Sequence, residues 1–145
     1  MPSLRDSAAA RSRLKLVMVG VAVVVGLACV PVLANALYNT PPRGVVPGRS
    51  ASLPTVAHTY MEAAKSQDCG MTRALTSANT WAWCDDPRLI SYVPEGTTPS
   101  DSDCEAYMVT ITASTDGSME AGTEPWSLCF RRTDSGWRLW DQGQG

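Results

Sequence analysis

The chain has 145 residues, enough for one domain of ordinary size. Hydrophobic residues make up 44% and charged residues 18%, which excludes a disordered or collagen-like protein. The formal net charge is -2, but residues 1–15 hold four basic residues and one acidic residue, so the remainder is clearly acidic. Because an acidic domain cannot neutralise phosphates, nucleic acid is not an expected partner.

The N-terminus predicts export. Residues 1–15 form a basic tail, and Leu16–Ala34 is a run without a charged side chain. As a helix this run would span about 28 Å, close to the roughly 30 Å hydrocarbon core of a bilayer. The positive-inside rule places the tail in the cytoplasm. We therefore expect residues 16–37 to be a membrane segment and the rest of the chain to lie outside the cytoplasm.

Two fates of this segment stay open. Ala34-Asn35-Ala36 has the A-x-A pattern of a signal peptidase site, and cleavage after Ala36 would give a secreted protein. The apolar run is longer than the usual signal-peptide core of about 7–15 residues, which favours an uncleaved anchor and a single-pass protein of the cell membrane.

Residues 38–52 are rich in proline and glycine and have no periodicity, so they predict a tether between membrane and domain. An extracytoplasmic domain then covers residues 53–145. Apolar spacing predicts a first helix over 53–67, capped by Ser52, then a shorter helix that buries residues up to Ala78 and a helical turn at residues 81–84. Asp86-Pro87 begins another turn or a short strand through Tyr92.

The C-terminal half predicts antiparallel strands at about 104–113, 119–132 and 136–142. Turns are expected at Asp116-Gly117 and at residues 134–136. The fold class is therefore α+β, with helices packed on one face of a curved antiparallel sheet.

Four cysteines lie beyond the apolar segment, and an even number in an exported domain indicates two disulfides. If Asp116-Gly117 forms the first hairpin turn, paired positions sum to 233, and Cys104 lies opposite Cys129. Cys69 then pairs with Cys84 by elimination. The same register places an apolar set on the other face of the hairpin. No C-x-x-C spacing is present, so a metal site is not expected.

Several short motifs resemble a group of actinobacterial envelope proteins that are membrane-anchored or exported. Their extracytoplasmic domain is similar to the NTF2-like (cystatin-like) superfamily. The resemblance covers residues 52–145 and is carried by Asp68-Cys69, Trp83-Cys84-Asp-Asp-Pro, Trp126-Ser-Leu and the stretch at 136–143, GWRLWDQG. It implies a cone-shaped α+β domain and no particular activity, because that fold hosts enzymes, binders and scaffolds.

No catalytic constellation is visible. The chain has no G-x-S-x-G motif, and its single histidine, His58, is expected on an outer helix face with Glu62. Polar side chains that could enter a pocket of such a fold are Tyr60, Tyr92, Tyr107 and Asp141. We predict a protein that is not an enzyme and needs no cofactor.

Two sets of residues are candidates for a ligand or partner surface. Trp81 and Trp83 could form an exposed aromatic patch, and Arg131, Arg132 and Arg138 could form a basic strip on the outer face of the last hairpin. Five tryptophans also suggest stacking on sugar rings, although core packing is the better account of at least three of them.

Three functions follow from these features. The first is a non-enzymatic binding or accessory module that recognises an envelope protein or ligand. The alternative is a scaffold subunit of a membrane assembly, similar to the bitopic subunits of secretion and conjugation systems. The third is a small-molecule enzyme of the isomerase or dehydratase kind.

Overall fold

A computed structural model describes residues 40–97 and 103–144. The basic tail, the membrane segment and the cleavage position predicted at residues 1–37 lie outside the described residues. Within the described ranges, no helix has both the length and the apolar character needed to cross a bilayer.

Two helices open the domain. Helix α1 spans Leu53–Lys65, and Ser52 caps it by accepting a hydrogen bond from the Thr55 amide. Helix α2 spans Cys69–Ala74, with the Asp68 side chain accepting from the Met71 amide. The cap and start of α1 confirm the prediction. The shorter helix ends earlier than predicted, because residues 75–77 leave the helical path to meet the last strand.

The four strands form one antiparallel sheet in the order β1-β2-β3-β4. Their bounds are Leu89–Thr97, Cys104–Ile111, Gly122–Thr133 and Gly136–Gln144. The last three were predicted within a few residues. Strand β1 is a full nine-residue strand rather than the short one expected, because β2 supplies a partner along most of its length.

The register predicted for the first hairpin is confirmed. Every pair of β2 with β3, from Cys104↔Cys129 to Ile111↔Gly122, sums to 233. The connection is a four-residue loop rather than a two-residue turn, since the Ser114 amide donates to the Met119 carbonyl at 2.9 Å. Gly117 takes a positive φ of 74° in this loop, a conformation that favours glycine.

The second hairpin turns at Asp134-Ser135, with Gly136 at a φ of 106°. A register shift follows, because Cys129 pairs with Asp141 whereas Phe130 pairs with Leu139. Trp140 is the extra residue of this bulge. The bulge lets buried Leu139 stay on the inner face while Arg131 lies against the ring of Trp140.

The core lies between α1 and the inner face of the sheet. Its fully buried members include Tyr60 and Met61 of the helix, Trp83, and Val109 and Leu128 of the sheet. The helices and strands thus form the α+β arrangement that the sequence predicts.

Residues 40–52 differ from a free tether, because they lie against the domain. The Arg43 amide donates to Asp68 Oδ2 at 2.8 Å, and Val46 packs against the core. Gly70 leaves room for this segment, since a Cβ there would collide with the backbone of Pro41. The Arg49 guanidinium donates to the Asp134 carbonyl at 2.7 Å.

Both predicted disulfides are present. Cys104–Cys129 joins paired positions of β2 and β3, with Cα atoms 4.0 Å apart. Cys69–Cys84 joins the start of α2 to the segment before β1, with Cα atoms 4.9 Å apart. Two disulfides in one small domain indicate folding in an oxidising, extracytoplasmic compartment.

Candidate functional site

Three tryptophans, two from the segment before β1 and one from β3, meet at one end of the inner sheet face. The ring centroids of Trp83 and Trp126 are 5.1 Å apart, and those of Trp81 and Trp126 are 6.4 Å apart. Trp81 is 42% exposed, whereas Trp126 is 5% exposed. The cluster therefore has a buried base and one ring that reaches solvent.

The expectation that Trp83 belongs to an exposed patch is wrong. Its side chain is fully buried, and its indole Nε1 donates to the Pro87 carbonyl at 2.8 Å. Its backbone amide donates to the Tyr60 hydroxyl at 2.7 Å. Segment 81–84 is irregular rather than a helical turn, because these contacts use the amide and side chain to anchor Trp83 beneath α1.

Trp81 is held from the last strand. The Gln142 Nε2 donates to the Trp81 carbonyl at 2.7 Å. Gln142 also lies beside the Tyr60 hydroxyl. Burial raises the pKa of Tyr60 to about 12, an effect that the Trp83 amide and the Thr76 and Gln142 side chains partly oppose. Tyr60 therefore stays neutral, and its buried hydroxyl accepts a hydrogen bond beneath the tryptophans.

Several buried polar atoms around these rings have no hydrogen-bond partner among the described residues. They are the Trp126 indole Nε1, Gln142 Oε1 and Glu124 Oε1, with Ser77 Oγ nearby in the chain before Trp81. The second carboxylate oxygen of Glu124 accepts a hydrogen bond from the side-chain Nε2 of Gln144. Buried polar groups are nearly always paired, so a water molecule or a ligand is expected to bind these atoms.

The strand register places Glu124 and Gln142 on either side of Trp126. Glu124 precedes Trp126 by two positions on β3, so both side chains lie on the inner face. Trp126 pairs with Gln144, and Leu128 pairs with Gln142. We name the set of Trp81, Glu124, Trp126 and Gln142 the tryptophan site. It combines an exposed indole ring with one buried donor and two buried acceptors.

A second group of titratable side chains lies between α1 and β1. The Tyr92 hydroxyl donates to Glu62 Oε1 at 2.7 Å and lies 3.1 Å from His58 Nδ1. Burial and the hydrogen bond that the Tyr92 hydroxyl donates to Glu62 raise the pKa of Tyr92 above its ordinary value. The prediction placed His58 and Glu62 on an outer helix face, and both are exposed. Their hydrogen bonds with Tyr92 hold α1 against the edge strand β1.

Two further inner-face residues have raised pKa values. Burial raises the pKa of Tyr107 to about 12, and Tyr107 packs edge-on against Tyr92 with ring centroids 5.7 Å apart. Glu105 is 9% exposed and its Oε1 has no partner among the described residues. Burial raises the pKa of this carboxyl as well. Asp141, by contrast, is paired with Cys129 on the outer face, so it does not enter the core side.

The structure contradicts the predicted basic strip on the last hairpin at one residue, Arg132. Arg131 and Arg138 are directly paired across β3 and β4, and the Arg131 guanidinium lies 3.3 Å from the centroid of the Trp140 ring. Arg132 alternates to the other face, near Trp137, and donates to the Arg49 carbonyl. Alternation along a strand makes it impossible for Arg131 and Arg132 to share one face.

Gln142 and Glu124 were missed by the sequence analysis. Glu124 could have been found, because the confirmed hairpin register places it two positions before Trp126 on the core face. Gln142 could not, since the bulge at Trp140 shifts the alternation of β4 and no residue pattern marks that bulge.

Comparison of the chain with protein-family models, with curated proteins and with solved structures finds no match. Within the described residues, no three histidine, cysteine or acidic side chains come together as a metal site would require. The tryptophan site is therefore interpreted from its own chemistry.

Proposed function

We propose that this protein is a single-pass or secreted envelope protein whose extracytoplasmic, NTF2-like domain is a non-enzymatic binding module. The tryptophan site is where it takes its ligand. The observation that carries the proposal is the exposed Trp81 ring, which contacts Trp126 and Gln142, two residues with an unpartnered polar atom each among the described residues. Ligand-binding sites combine apolar contact with a few placed polar groups.

The rest of the domain supports this reading by holding the site rigidly. Trp83, Tyr60 and Pro87 are buried beneath it and joined by hydrogen bonds at 2.7 and 2.8 Å. The Cys69–Cys84 disulfide closes the segment that carries Trp81. A preformed site loses little conformational entropy when a ligand binds.

The experiment is a nuclear magnetic resonance titration of the full-length chain labelled with 15N at tryptophan. The detergent must lack a sugar headgroup, and the probe is soluble material released from the envelope of the producing cells, separated by size. We expect at least one fraction to shift the indole signals of Trp81 and Trp126. The signals of Trp137 and Trp140 should stay in place as internal controls. If no fraction moves Trp81, or if only Trp140 responds, the binding function at this site is wrong.

A second candidate is the scaffold subunit, which is favoured by an apolar row on the outer face. Val93, Met108 and Pro125 are directly paired across β1, β2 and β3, and Val93 is 63% exposed. We expect a membrane protein recovered with the full-length chain in mild detergent to be lost with Val93→Lys and kept with Trp81→Ala. Recovery that depends on neither residue would remove this candidate.

A further inference from the structure

We propose that the outer face of the sheet binds an extended acidic segment of a partner protein through Arg131 and Arg138, an inference that rests on the scaffold function given above as the second candidate. The first step concerns the arginine pair. Arg131 on β3 and Arg138 on β4 are directly opposite each other, so two like charges lie side by side. Like charges at opposed positions destabilise a sheet, and an anion bound beside them offsets that cost.

The second step concerns the donors that these arginines have left. Arg131 is exposed, and its guanidinium lies on the face of the Trp140 ring, 3.3 Å from the ring centroid. Arg138 is half-buried and donates one hydrogen bond, from Nη1 to the Trp137 carbonyl at 2.7 Å. Within the part of the chain that the structure describes, neither guanidinium forms an ion pair with a carboxylate. Each arginine therefore has N–H groups that a carboxylate of a partner can bind.

The third step concerns the direction of these donors. A guanidinium that stacks on an aromatic ring leaves its edge free, and that edge carries the N–H groups that bind a carboxylate in a bidentate way. The bulge in β4 produces the stacking, because the extra residue Trp140 brings its ring against Arg131. The Arg131 side chain therefore loses less conformational entropy on binding than an unstacked arginine would lose.

The fourth step concerns the surrounding charge. Asp141 lies on the same outer face, and its Oδ1 already accepts from the Gln142 amide at 2.9 Å. Beyond residue 15, acidic residues outnumber basic ones, so the domain as a whole repels a polymer with many negative charges. A few carboxylates placed at the arginine pair gain the local attraction without most of that repulsion.

The apolar row on the same face indicates a polypeptide partner. Val93, Met108 and Pro125 form this row, and Pro125 precedes Arg131 by six positions on β3. Both Pro125 and Arg131 are exposed, and an extended segment of about seven residues spans the roughly 20 Å between them. An acidic polypeptide offers carboxylates and apolar side chains along one line, which matches the two groups on this strand.

The direct test is a titration of the full-length chain, labelled with 15N at arginine and tryptophan, in a zwitterionic detergent. The probe is a synthetic peptide of about seven residues, with glutamates at one end, leucines at the other and serines between them. We expect saturable shifts at Arg131 Nε and Trp140 Nε1, and none with a control peptide that has glutamines in place of the glutamates. Trp81 should not respond, because it lies on the inner face. Raising the salt concentration from about 20 to about 200 mM should weaken binding about threefold or more.

Three variants locate the site. Arg131→Ala should weaken binding of the acidic peptide about tenfold or more, because it removes the stacked fork. Arg131→Lys keeps the charge but loses the fork, so it should weaken binding about threefold or more. Arg88→Ala, at an exposed arginine before β1, is the matched control and should leave the affinity within about twofold.

Three results of the titration would overturn the acidic segment. The first is an absence of shifts with the acidic peptide, and the second is binding that survives Arg131→Ala. The third is tighter binding of tripolyphosphate than of the peptide at Arg131, which would replace the polypeptide with a phosphate-bearing partner.

Recovery of a membrane protein with the full-length chain in mild detergent separates this inference from the scaffold function. Soluble envelope fractions lack such a partner, so Trp140 remains a control in the titration of the tryptophan site. We expect a protein that is lost with Val93→Lys to be lost with Arg131→Glu and kept with Arg88→Glu. A protein that is lost with Val93→Lys but kept with Arg131→Glu overturns the acidic segment and leaves the scaffold function standing. If no recovered protein depends on Val93, the scaffold function and the acidic segment are both wrong.

Discussion

The β2–β3 hairpin and the segment at residues 76–88 are built in opposite ways. The hairpin follows one register from Cys104↔Cys129 to Ile111↔Gly122, set by a local loop. The segment contains no regular element apart from an isolated bridge at Thr76. Contacts with distant residues hold it, chiefly through Tyr60 and Gln142. Local, repeating structure makes the hairpin; long-range side-chain contacts make the segment that carries the tryptophan site.

The strongest test of this contrast is a pair of neighbouring tryptophans. Trp83→Ala should lower the free energy of unfolding by about 3–5 kcal/mol, because it removes a fully buried ring from the core. Trp81→Ala should cost about 1 kcal/mol or less, since that ring is 42% exposed. Urea denaturation followed by circular dichroism measures both. Equal losses would mean that Trp81 is a core residue and that the tryptophan site is not a surface for ligands.

The second test removes each disulfide in turn and compares the effects on the hairpin and on the segment at residues 76–88. Either loss should cost about 3 kcal/mol in the chain-entropy model, because the bridges close loops of similar length, 15 and 25 residues. The two losses should affect different parts of the domain. Cys104→Ser should match the Cys104/Cys129 double change in stability, with the β2–β3 ladder keeping its register.

Cys69→Ser, compared with the Cys69/Cys84 double change, should instead loosen the segment that holds Trp81. Hydrogen exchange at the Trp83 amide is the readout, with amides of β2 as the control. Faster exchange in β2 than at Trp83 would contradict this assignment. In Cys104→Ser, a new bridge from Cys129 to Cys69 or Cys84 would show that the pairing itself is wrong.

The Tyr60 hydroxyl is the single long-range contact whose loss should be most informative. Tyr60→Phe leaves the Trp83 amide without its acceptor in a buried place, which should cost about 1–3 kcal/mol. Tyr92→Phe removes a hydroxyl that bonds exposed His58 and Glu62, and it should cost about 0.5 kcal/mol or less. Denaturation midpoints of the two variants provide the comparison. A larger loss of stability for Tyr92→Phe would show that the contacts of edge strand β1 matter more than the Tyr60 hydroxyl.

This contrast also explains how much the sequence could predict. The turn signal at Asp116-Gly117 was enough to place Cys104 opposite Cys129, since one register determines every pair of a hairpin. The cap at Ser52 and the buried face of α1 followed from local spacing. The burial of Trp83 did not, because it depends on Tyr60 and Pro87, which no periodicity connects to it.

The pH dependence of the free energy of unfolding tests the burial of Glu105 on the inner face of the hairpin. Burial raises the pKa of this carboxyl in the folded state, so the folded chain keeps a proton at pH values where the unfolded chain has lost it. The free energy of unfolding should therefore fall as pH rises from about 4.5 through the folded-state pKa, and stay low above it.

Glu105→Gln should remove that fall and stabilise the protein at pH 7 by about 1 kcal/mol, a rise of several degrees in Tm. Glu120→Gln, at an exposed position before β3, is the matched control and should leave the pH profile unchanged. A Glu105→Gln variant that is less stable at pH 7 would show that the ionised carboxylate has a stabilising partner.

The smallest expected effect is at the tip of the same hairpin, where Asp116 organises the loop. Its Oδ1 accepts from the amide and hydroxyl of Ser118 and from the hydroxyl of Ser114. These bonds, the Ser118 amide first, lower the pKa of Asp116 to about 2. The stability they contribute is complete above the ordinary value of 3.8 and should be lost as pH falls toward 2.

A 13C titration of the Asp116 carboxyl in the full-length chain measures this directly. Ser118→Ala removes the hydroxyl bond but keeps the amide, so the midpoint should rise only part of the way toward 3.8. Replacing Ser114 by Ala as well should raise it further. Because solvent surrounds the loop, Asp116→Asn should leave the β2–β3 register and the Cys104–Cys129 bridge intact. A register change in that variant would mean that the carboxylate, rather than strand alternation and the disulfide, holds the two strands in place.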